Sequence, residues 1–235
     1  CYKYHQFAED KKMSHLDVVG WLFSVWGETL AETGQLEEAL IKVKRGGELT
    51  ESSEDILMTI WSQICLSRIL FIKGDLKGAD EIISVMEELM SERRIPPYIS
   101  NTVSALRGRL LLVRNKINSA IQWSELRHLS LEGNVTQLNE AEYMVFARIF
   151  LAQKQYNETN TLLQQLLDAA ENAGRISKII EILILQALTL HAENDVEQSS
   201  TILKRVLILA EKKGFFSTLL LEGPQFARLL YESSI

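Results

Sequence analysis

Three arginines recur along the sequence at nearly equal intervals, which makes them strong candidates for a binding chemistry. Arg68, Arg109 and Arg148 are separated by 41 and 39 residues. A guanidinium presents a planar fork of N–H donors that suits a carboxylate or a phosphate. Trp21 and Trp61 are likewise 40 residues apart, and flat indole faces beside polar groups suit a sugar, a nucleoside or a peptide. The spacing indicates that a repeated structural unit presents both sets.

Other chemistries find little support in the sequence. No serine or cysteine sits in a recognisable nucleophile motif, so we expect a binding protein and not an enzyme. Metal-ligand spacing is also absent among the histidines and cysteines, which are His5, His15, His128, His191, Cys1 and Cys65. We therefore expect no metal site.

The composition is that of an ordinary globular protein. The formal net charge is -6 and the 25 lysines and arginines are scattered, so we expect no nucleic-acid binding by these residues themselves. Two cysteines, one of them terminal, favour a reducing compartment and a cytoplasmic location. The most hydrophobic segment, residues 179–190, is broken by Glu181 and Gln186, so we expect no membrane span.

Short polar turns recur with a period of about forty residues. The spacings between successive turns are 40, 41, 39 and 40 residues, and the turns begin at Gly34, Gly74, Asn115, Lys154 and Asn194. Glycine and asparagine suit the left-handed residue that closes a helix. The turns therefore predict helical hairpins.

Small residues fall into the same register. Seven residues before each turn and five after it stand Gly27, Ser67, Gly108, Ala147 and Ala187, and Ala39, Ala79, Ala120, Thr159 and Ser199. Two antiparallel helices approach closely only where neither carries a bulky side chain at the crossing. This is the logic of tetratricopeptide (TPR) repeats, whose period is ~34 residues, so each helix here is longer by roughly one turn.

The predicted fold is all-α: a superhelical solenoid of TPR-like helix-turn-helix repeats, forming one domain over residues 1–235 with about five full repeats and partial terminal ones. We expect first helices near 17–33, 55–73, 98–114, 140–153 and 176–193, and second helices near 36–47, 76–93, 117–131, 156–173 and 196–213. Residues 1–14 are expected to end a preceding repeat, Phe215 to Leu221 to begin a sixth, and Glu222-Gly223-Pro224 to open a last short helix. Because Cys1 falls inside a predicted helix, we expect a fragment of a longer multidomain protein.

Three stretches carry a resemblance to a known family: EAEYMVFARIFLAQ at 140–153, AGRISKIIEILILQAL at 173–188 and RVLILAEKKGFFSTLLLEGPQFARLL at 205–230. Together they resemble the repeat domain of the large ATP-dependent LuxR-type transcription regulators of the maltose-activator type. Over residues 1–114 the match is mainly in period and small positions.

The resemblance implies a parent protein with an N-terminal ATP-binding module, this helical sensor domain and a C-terminal helix-turn-helix that binds DNA. In that family the repeat domain receives the inducer and helps to control self-assembly. The sequence contains no G-x-x-x-x-G-K-[ST] loop and no basic recognition helix after Pro224. ATP and DNA binding are therefore expected elsewhere in the parent chain, and no cofactor in these residues.

First helices of such a solenoid line its concave groove. The register places in that groove the candidate ligand-binding residues Trp21, Ser24, Glu28, Trp61, Arg68, Arg109, Arg148 and His191. Two alternatives remain open. The arginines could pair with carboxylates of neighbouring helices, such as Glu142 or Glu181, and the tryptophans could pack in the core.

Two functions follow from this groove. The first is a sensor domain that binds a small-molecule inducer and biases the assembly of a LuxR-type activator. The alternative is a general interaction scaffold, whose groove takes an extended peptide or an acidic segment of a partner protein.

Overall fold

The structure is a computed structural model that describes residues 17–51, 55–220 and 222–233. Within these ranges the regular secondary structure is α-helical, which confirms the predicted all-α class of helical repeats. The helices are α1 (Asp17–Glu32), α2 (Leu36–Glu51), α3 (Ile56–Lys73), α4 (Leu76–Ser91), α5 (Pro97–Val113), α6 (Ile117–Leu126), α7 (Glu140–Ala152), α8 (Tyr156–Asn172), α9 (Ile176–Ala192), α10 (Val196–Lys213), α11 (Ser217–Leu220) and α12 (Gly223–Glu232).

The turn residues explain where the helices end. All five predicted turns contain a residue in the left-handed region, with φ between 57° and 80°, at Gly34, Gly74, Asn115, Lys154 and Asn194. The next helix is then capped by an aspartate in two of these hairpins, and an aspartate also caps α3. Asp55, Asp75 and Asp195 each accept a hydrogen bond from a backbone N–H in the first turn of α3, α4 and α10.

Two helix ends were predicted wrongly. The helix expected near 36–47 extends to Glu51. The second helix near 117–131 ends at Leu126, because His128 adopts φ of 54° and its N–H donates to the carbonyl of Glu125 at 2.9 Å. A left-handed histidine is uncommon and carries no strong sequence signal. Residues 127–139 consequently form an irregular connection before α7.

The small positions mark the crossing of the two helices in a hairpin. All ten are buried, and a Cβ added to Gly27 on α1 would lie 2.8 Å from the carbonyl oxygen of Ala39 on α2. In the hairpin of α9 and α10, the hydroxyl of Ser199 donates to the carbonyl of Ala187 at 2.8 Å. The predicted reason for small residues at these positions, close backbone approach, is confirmed in these hairpins.

Internal contacts divide the chain into two compact units, Cys1–Leu106 and Arg107–Ile235, with the border inside α5. In unit 1, α1 packs on α2 and α3, and α3 packs on α2 and α4. In unit 2, α9 lies centrally and contacts α7, α8, α10, α11 and α12. The organisation of the chain as a single solenoid domain stays a prediction.

Helix α9 is, together with α7, one of the two most buried helices of unit 2. Its buried side chains run from Ile179 to Thr189 with few interruptions.

Among the described helices, α3 is long and apolar enough to cross a membrane by length and composition, and 44% of that helix is buried inside the structure. Core helices of soluble proteins meet the same criterion, so α3 is weak support for a span.

The terminal predictions have mixed outcomes. The helix expected over residues 1–14 lies outside the described residues, as do Cys1, His5, His15 and Leu221. The expected start of a sixth repeat is a helix of only four residues, α11. The last short helix begins at Gly223 with a proline in its first turn, as predicted.

Candidate functional site

The inner helices of unit 1 bring together three of the predicted residues. Arg68 on α3 donates from Nη1 to Glu28 Oε1 on α1 at 2.6 Å, across 40 residues of sequence. The side chain of Arg68 is 41% exposed and that of Glu28 is 26% exposed. One repeat position therefore pairs with the same position of the next repeat, and water still reaches the pair.

Near this pair, α1 and α3 also contact each other through polar hydroxyl groups and through apolar side chains. The hydroxyl of Ser24, fully buried on α1, donates to Ser62 Oγ on α3 at 2.8 Å. Cys65, buried and reduced, has its pKa raised by burial and by the nearby charge of Glu28. Ser24 is thus a bridge between two helices, and its hydroxyl is not presented to solvent.

The two tryptophans occupy different environments. Trp21 is 42% exposed on α1. Trp61 is half-buried and packs against a core cluster that includes Ala31, Cys65 and Ile69, and its Nε1 is buried without a hydrogen-bond partner. Core packing, the alternative left open for both, describes Trp61, whereas Trp21 is exposed.

Unit 2 contains a buried ionic cluster that the sequence had only partly indicated. Arg109 on α5 donates from Nη2 to Glu222 Oε1 at 3.1 Å, and Arg148 on α7 donates from Nε to the same oxygen at 3.1 Å. Arg148 Nη2 also donates to Glu181 Oε1 on α9 at 2.9 Å. Lys178 completes the cluster, donating to Glu181 Oε2 at 2.8 Å.

We call these five residues the ionic cluster. Exposed fractions are 12% for the side chain of Arg109, 8% for Arg148 and 9% for Glu222, so the charges are compensated mainly by one another. Glu222 stands at the N-cap position of α12 but makes no side-chain cap there. Its carboxylate reaches the arginines of α5 and α7 instead, and so ties the start of α12 to those helices.

The cluster lowers the pKa of both of its carboxylates. Burial alone would raise the pKa of Glu222, but the charges of Arg109 and Arg148 outweigh it and lower that pKa. Glu181 likewise has a lowered pKa, because Lys178 and Arg148 overcome the effect of burial. Both carboxylates are therefore ionised at neutral pH.

The expected carboxylate partners are present, although only one of them pairs with a predicted arginine. Glu181 pairs with Arg148, whereas Glu142 pairs with Arg127 at 2.6 Å. Arg175 and Glu140 form a further, partly buried pair at 2.9 Å. Pairing with neighbouring carboxylates, the structural alternative, is thus realised at each predicted arginine.

His191 contacts the last helix. Its Nε2 lies 2.8 Å from Glu232 Oε2 on α12, and its Nδ1 is buried without a hydrogen-bond partner. Glu222 and Glu232 were not anticipated. The available signal was that Glu222 is the only carboxylate in the Leu-Glu-Gly-Pro segment that carried the family resemblance.

The described residues offer hydrogen-bonding and charge chemistry. Among them no group of three histidine, cysteine or acidic side chains is arranged to hold a metal ion. Unit 1 presents a partly exposed acid–base pair and, two helical turns from Glu28 on α1, an exposed tryptophan, and unit 2 fixes its C-terminal helix through buried charges. Ligand contact by the eight predicted residues stays a prediction.

Comparison with known proteins identifies the relatives of this chain. The family model described as the MalT-like TPR region matches residues 3–234. The HTH-type transcriptional regulator MalT of Vibrio campbellii (strain ATCC BAA-1116) is 22% identical over 231 residues, which is 98% of this chain and 25% of the relative. MalT of Vibrio parahaemolyticus serotype O3:K6 (strain RIMD 2210633) is 22% identical over 234 residues, with the same coverage. The chain spans about a quarter of the length of these curated relatives.

Proposed function

Because this chain belongs to the MalT-like TPR region family, we propose that it is the inducer-binding, assembly-controlling repeat domain of an HTH-type transcription regulator. The observation that carries the proposal is the family match over residues 3–234. The relatives are named as HTH-type transcriptional regulators, and the matched region is a quarter of their length. ATP binding and DNA binding would belong to other parts of such a parent protein, which would work in the cytoplasm.

The exposed fractions divide the predicted residues by role. Arg68 is 41% exposed and Arg109 is 12% exposed. A ligand therefore reaches the guanidinium of Arg68, with Glu28 and the indole of Trp21 on the neighbouring helix, at a far lower desolvation cost. We assign the ligand contact to Arg68, Glu28 and Trp21, and we assign to Arg109 and Arg148 the role of holding the C-terminal helix.

The ionic cluster supplies a way for ligand binding to reach the rest of a parent protein. Glu222 is bound by two arginines that sit on two different first helices. A small shift of α5 changes the contact of Arg109, and a shift of α7 changes that of Arg148, so either shift alters how firmly α12 is held. A ligand that favours one arrangement of the first helices would thereby bias the segment that follows.

A thermal-shift screen tests this function. The probes are neutral sugars, sugar phosphates, nucleosides and dicarboxylates, compared with acidic and basic peptides at equal concentration. A ligand at a hundredfold excess over Kd stabilises the folded state by ~2.7 kcal/mol. A sensor shows a shift with one small-molecule class and none with the peptides.

Single variants then locate the contact. We expect Arg68→Ala to remove the ligand-induced shift while the melting temperature without ligand stays close to that of the wild type. Arg45→Ala, which removes an exposed pair with Glu48, is the matched control and keeps the shift. A full shift in Arg68→Ala would show that the ligand binds elsewhere.

The scaffold function has one specific observation in its favour. Arg109 and Arg148 already hold an acidic side chain, Glu222, that arrives from a distant part of the sequence. An acidic segment of a partner protein could be held in the same way. Stabilisation by acidic peptides alone, lost in Arg109→Ala, would replace the sensor proposal with this one.

A further inference from the structure

Unit 1 contains a cavity that involves none of the predicted site residues. Its volume is about 550 Å³, and it opens between the end of α2, the first half of α3 and the second half of α4. Binding sites for small molecules commonly have volumes of ~300–1,000 Å³. The cavity therefore has room for a small organic molecule.

An unusual polar group lines this cavity. Gln63 is only 7% exposed, and its Oε1 is buried without a hydrogen-bond partner. One turn before it on α3, the hydroxyl of Thr59 donates to the carbonyl of Thr50 at 2.8 Å. The oxygen of that hydroxyl can therefore still accept a hydrogen bond. Two of the lining residues thus carry an acceptor, that of Gln63 is unsatisfied, and a buried unsatisfied acceptor destabilises the fold.

The other residues that line the cavity indicate which kind of ligand it would bind. Ile56 on α3, and Val85 and Leu89 one turn apart on α4, supply apolar walls. Glu51 and Arg93 are exposed at the edge of the lining and carry opposite charges, so the site has no net preference for an anion or a cation. We propose that this cavity binds an uncharged small molecule with an apolar body and a hydrogen-bond donor, and that the carboxamide of Gln63 turns so that its Oε1 accepts from that donor.

Two isomeric probes test this site. Benzyl alcohol and anisole contain the same atoms, but only the alcohol has an O–H donor. Methyl resonances of Ile56, Val85 and Leu89 report occupancy by NMR in the intact chain. We expect both probes to shift these resonances, and benzyl alcohol to bind at least about threefold more tightly, as one net hydrogen bond gives.

Three variants complete the test. Gln63→Leu removes the acceptor and should equalise the affinities of the two probes, and its melting temperature should be at or above that of the wild type. Val85→Trp fills the cavity from a position that is 45% exposed, so the fold is retained and the shifts disappear. Gln164→Leu, an exposed glutamine bonded to Asp168, is the control and leaves both affinities unchanged.

Three results would contradict the proposed site. Equal affinity of the two probes in the wild type, no methyl shift with either probe, or unchanged shifts in Val85→Trp would each overturn the proposal. Since the measurement uses neither an inducer nor Arg68, its outcome is independent of the sensor function.

Discussion

Arg148 Nε donates to Glu222 Oε1 at 3.1 Å although 74 residues separate the two in sequence. The contact joins a first helix in the middle of unit 2 to the residue that precedes α12. With Arg109 and Glu181 it forms a buried network in which each charge depends on the others. Removing one member therefore affects more than one ion pair.

Arg148→Met is predicted to destabilise the protein strongly. The substitution keeps the length of the side chain but leaves Glu181 and Glu222 buried with less compensating charge. Breaking a buried pair in this way costs ~3–5 kcal/mol, to be measured as the free energy of unfolding in urea. Arg45→Met removes an exposed pair, and its cost should stay within ~1 kcal/mol. Equal stability of the two variants would mean that water hydrates the cluster.

Acid should weaken unit 2 through the same residues. The pKa of Glu222 and that of Glu181 are lowered in the folded state, so the unfolded state binds more protons. The stabilisation is complete above the unfolded-state pKa of roughly 4.3 and is lost as the pH falls below it. We expect the free energy of unfolding to fall more steeply with acid in the wild type than in Glu222→Gln. Parallel curves would contradict the pKa assignment.

Glu222→Gln should loosen the C-terminal helix. The amide side chain keeps the shape of the carboxylate but loses the charge that Arg109 and Arg148 attract. A hydrogen bond to a charged group contributes ~1.5–3 kcal/mol, so hydrogen exchange in Gly223–Glu232 should accelerate about tenfold or more. Arg205→Gln, which removes an exposed pair with Glu171, should leave that helix unchanged. Equal hydrogen-exchange rates in the wild type, Glu222→Gln and Arg205→Gln would show that apolar contacts alone hold α12.

Two glycines of unit 1 should respond in opposite ways to alanine. A Cβ at Gly27 would lie 2.2 Å from Val43 Cγ2 and 2.8 Å from the carbonyl oxygen of Ala39. Gly27→Ala should therefore lower stability by ~1–3 kcal/mol through overpacking. A Cβ at Gly47 meets nothing within 4 Å, so Gly47→Ala should raise stability by ~0.5–1 kcal/mol. Thermal melts of the two variants measure these changes. A change of stability in the same direction for both variants would contradict the close crossing of α1 and α2.

Ala120→Leu extends that test to unit 2. Ala120 occupies the small position five residues after a turn and is fully buried. Its substitution should cost ~1–3 kcal/mol, measured by thermal or urea unfolding. An unchanged melting temperature would show that the repeat register is wrong at this hairpin.

The sequence allowed most helices to be predicted within one or two residues. The reason is local: a left-handed turn residue such as Asn115 and a capping aspartate such as Asp195 act within a few positions of themselves. Small crossing residues were also predictable, since a backbone approach excludes every large side chain. The start of the irregular segment after Leu126 could not be predicted, because His128 is an unusual left-handed residue.

The site was less predictable, because its key contacts join distant positions. The register aligned Arg109 with Arg148, but nothing local distinguishes Glu222 from the other glutamates as their shared partner. Nor does the sequence reveal that the amide of Gln63 is buried beside a cavity. Such facts depend on which helix faces which, and that is set by packing over the whole unit.

The ionic cluster also bears on the order in which the protein is made. A ribosome releases Arg109 113 residues before Glu222, and Arg148 74 residues before it. During that interval Arg109 lacks its acidic partner Glu222, whereas Arg148 can already pair with Glu181. The nascent chain of unit 2 therefore completes its ionic cluster only once Glu222 has been synthesised and can contact both guanidinium groups.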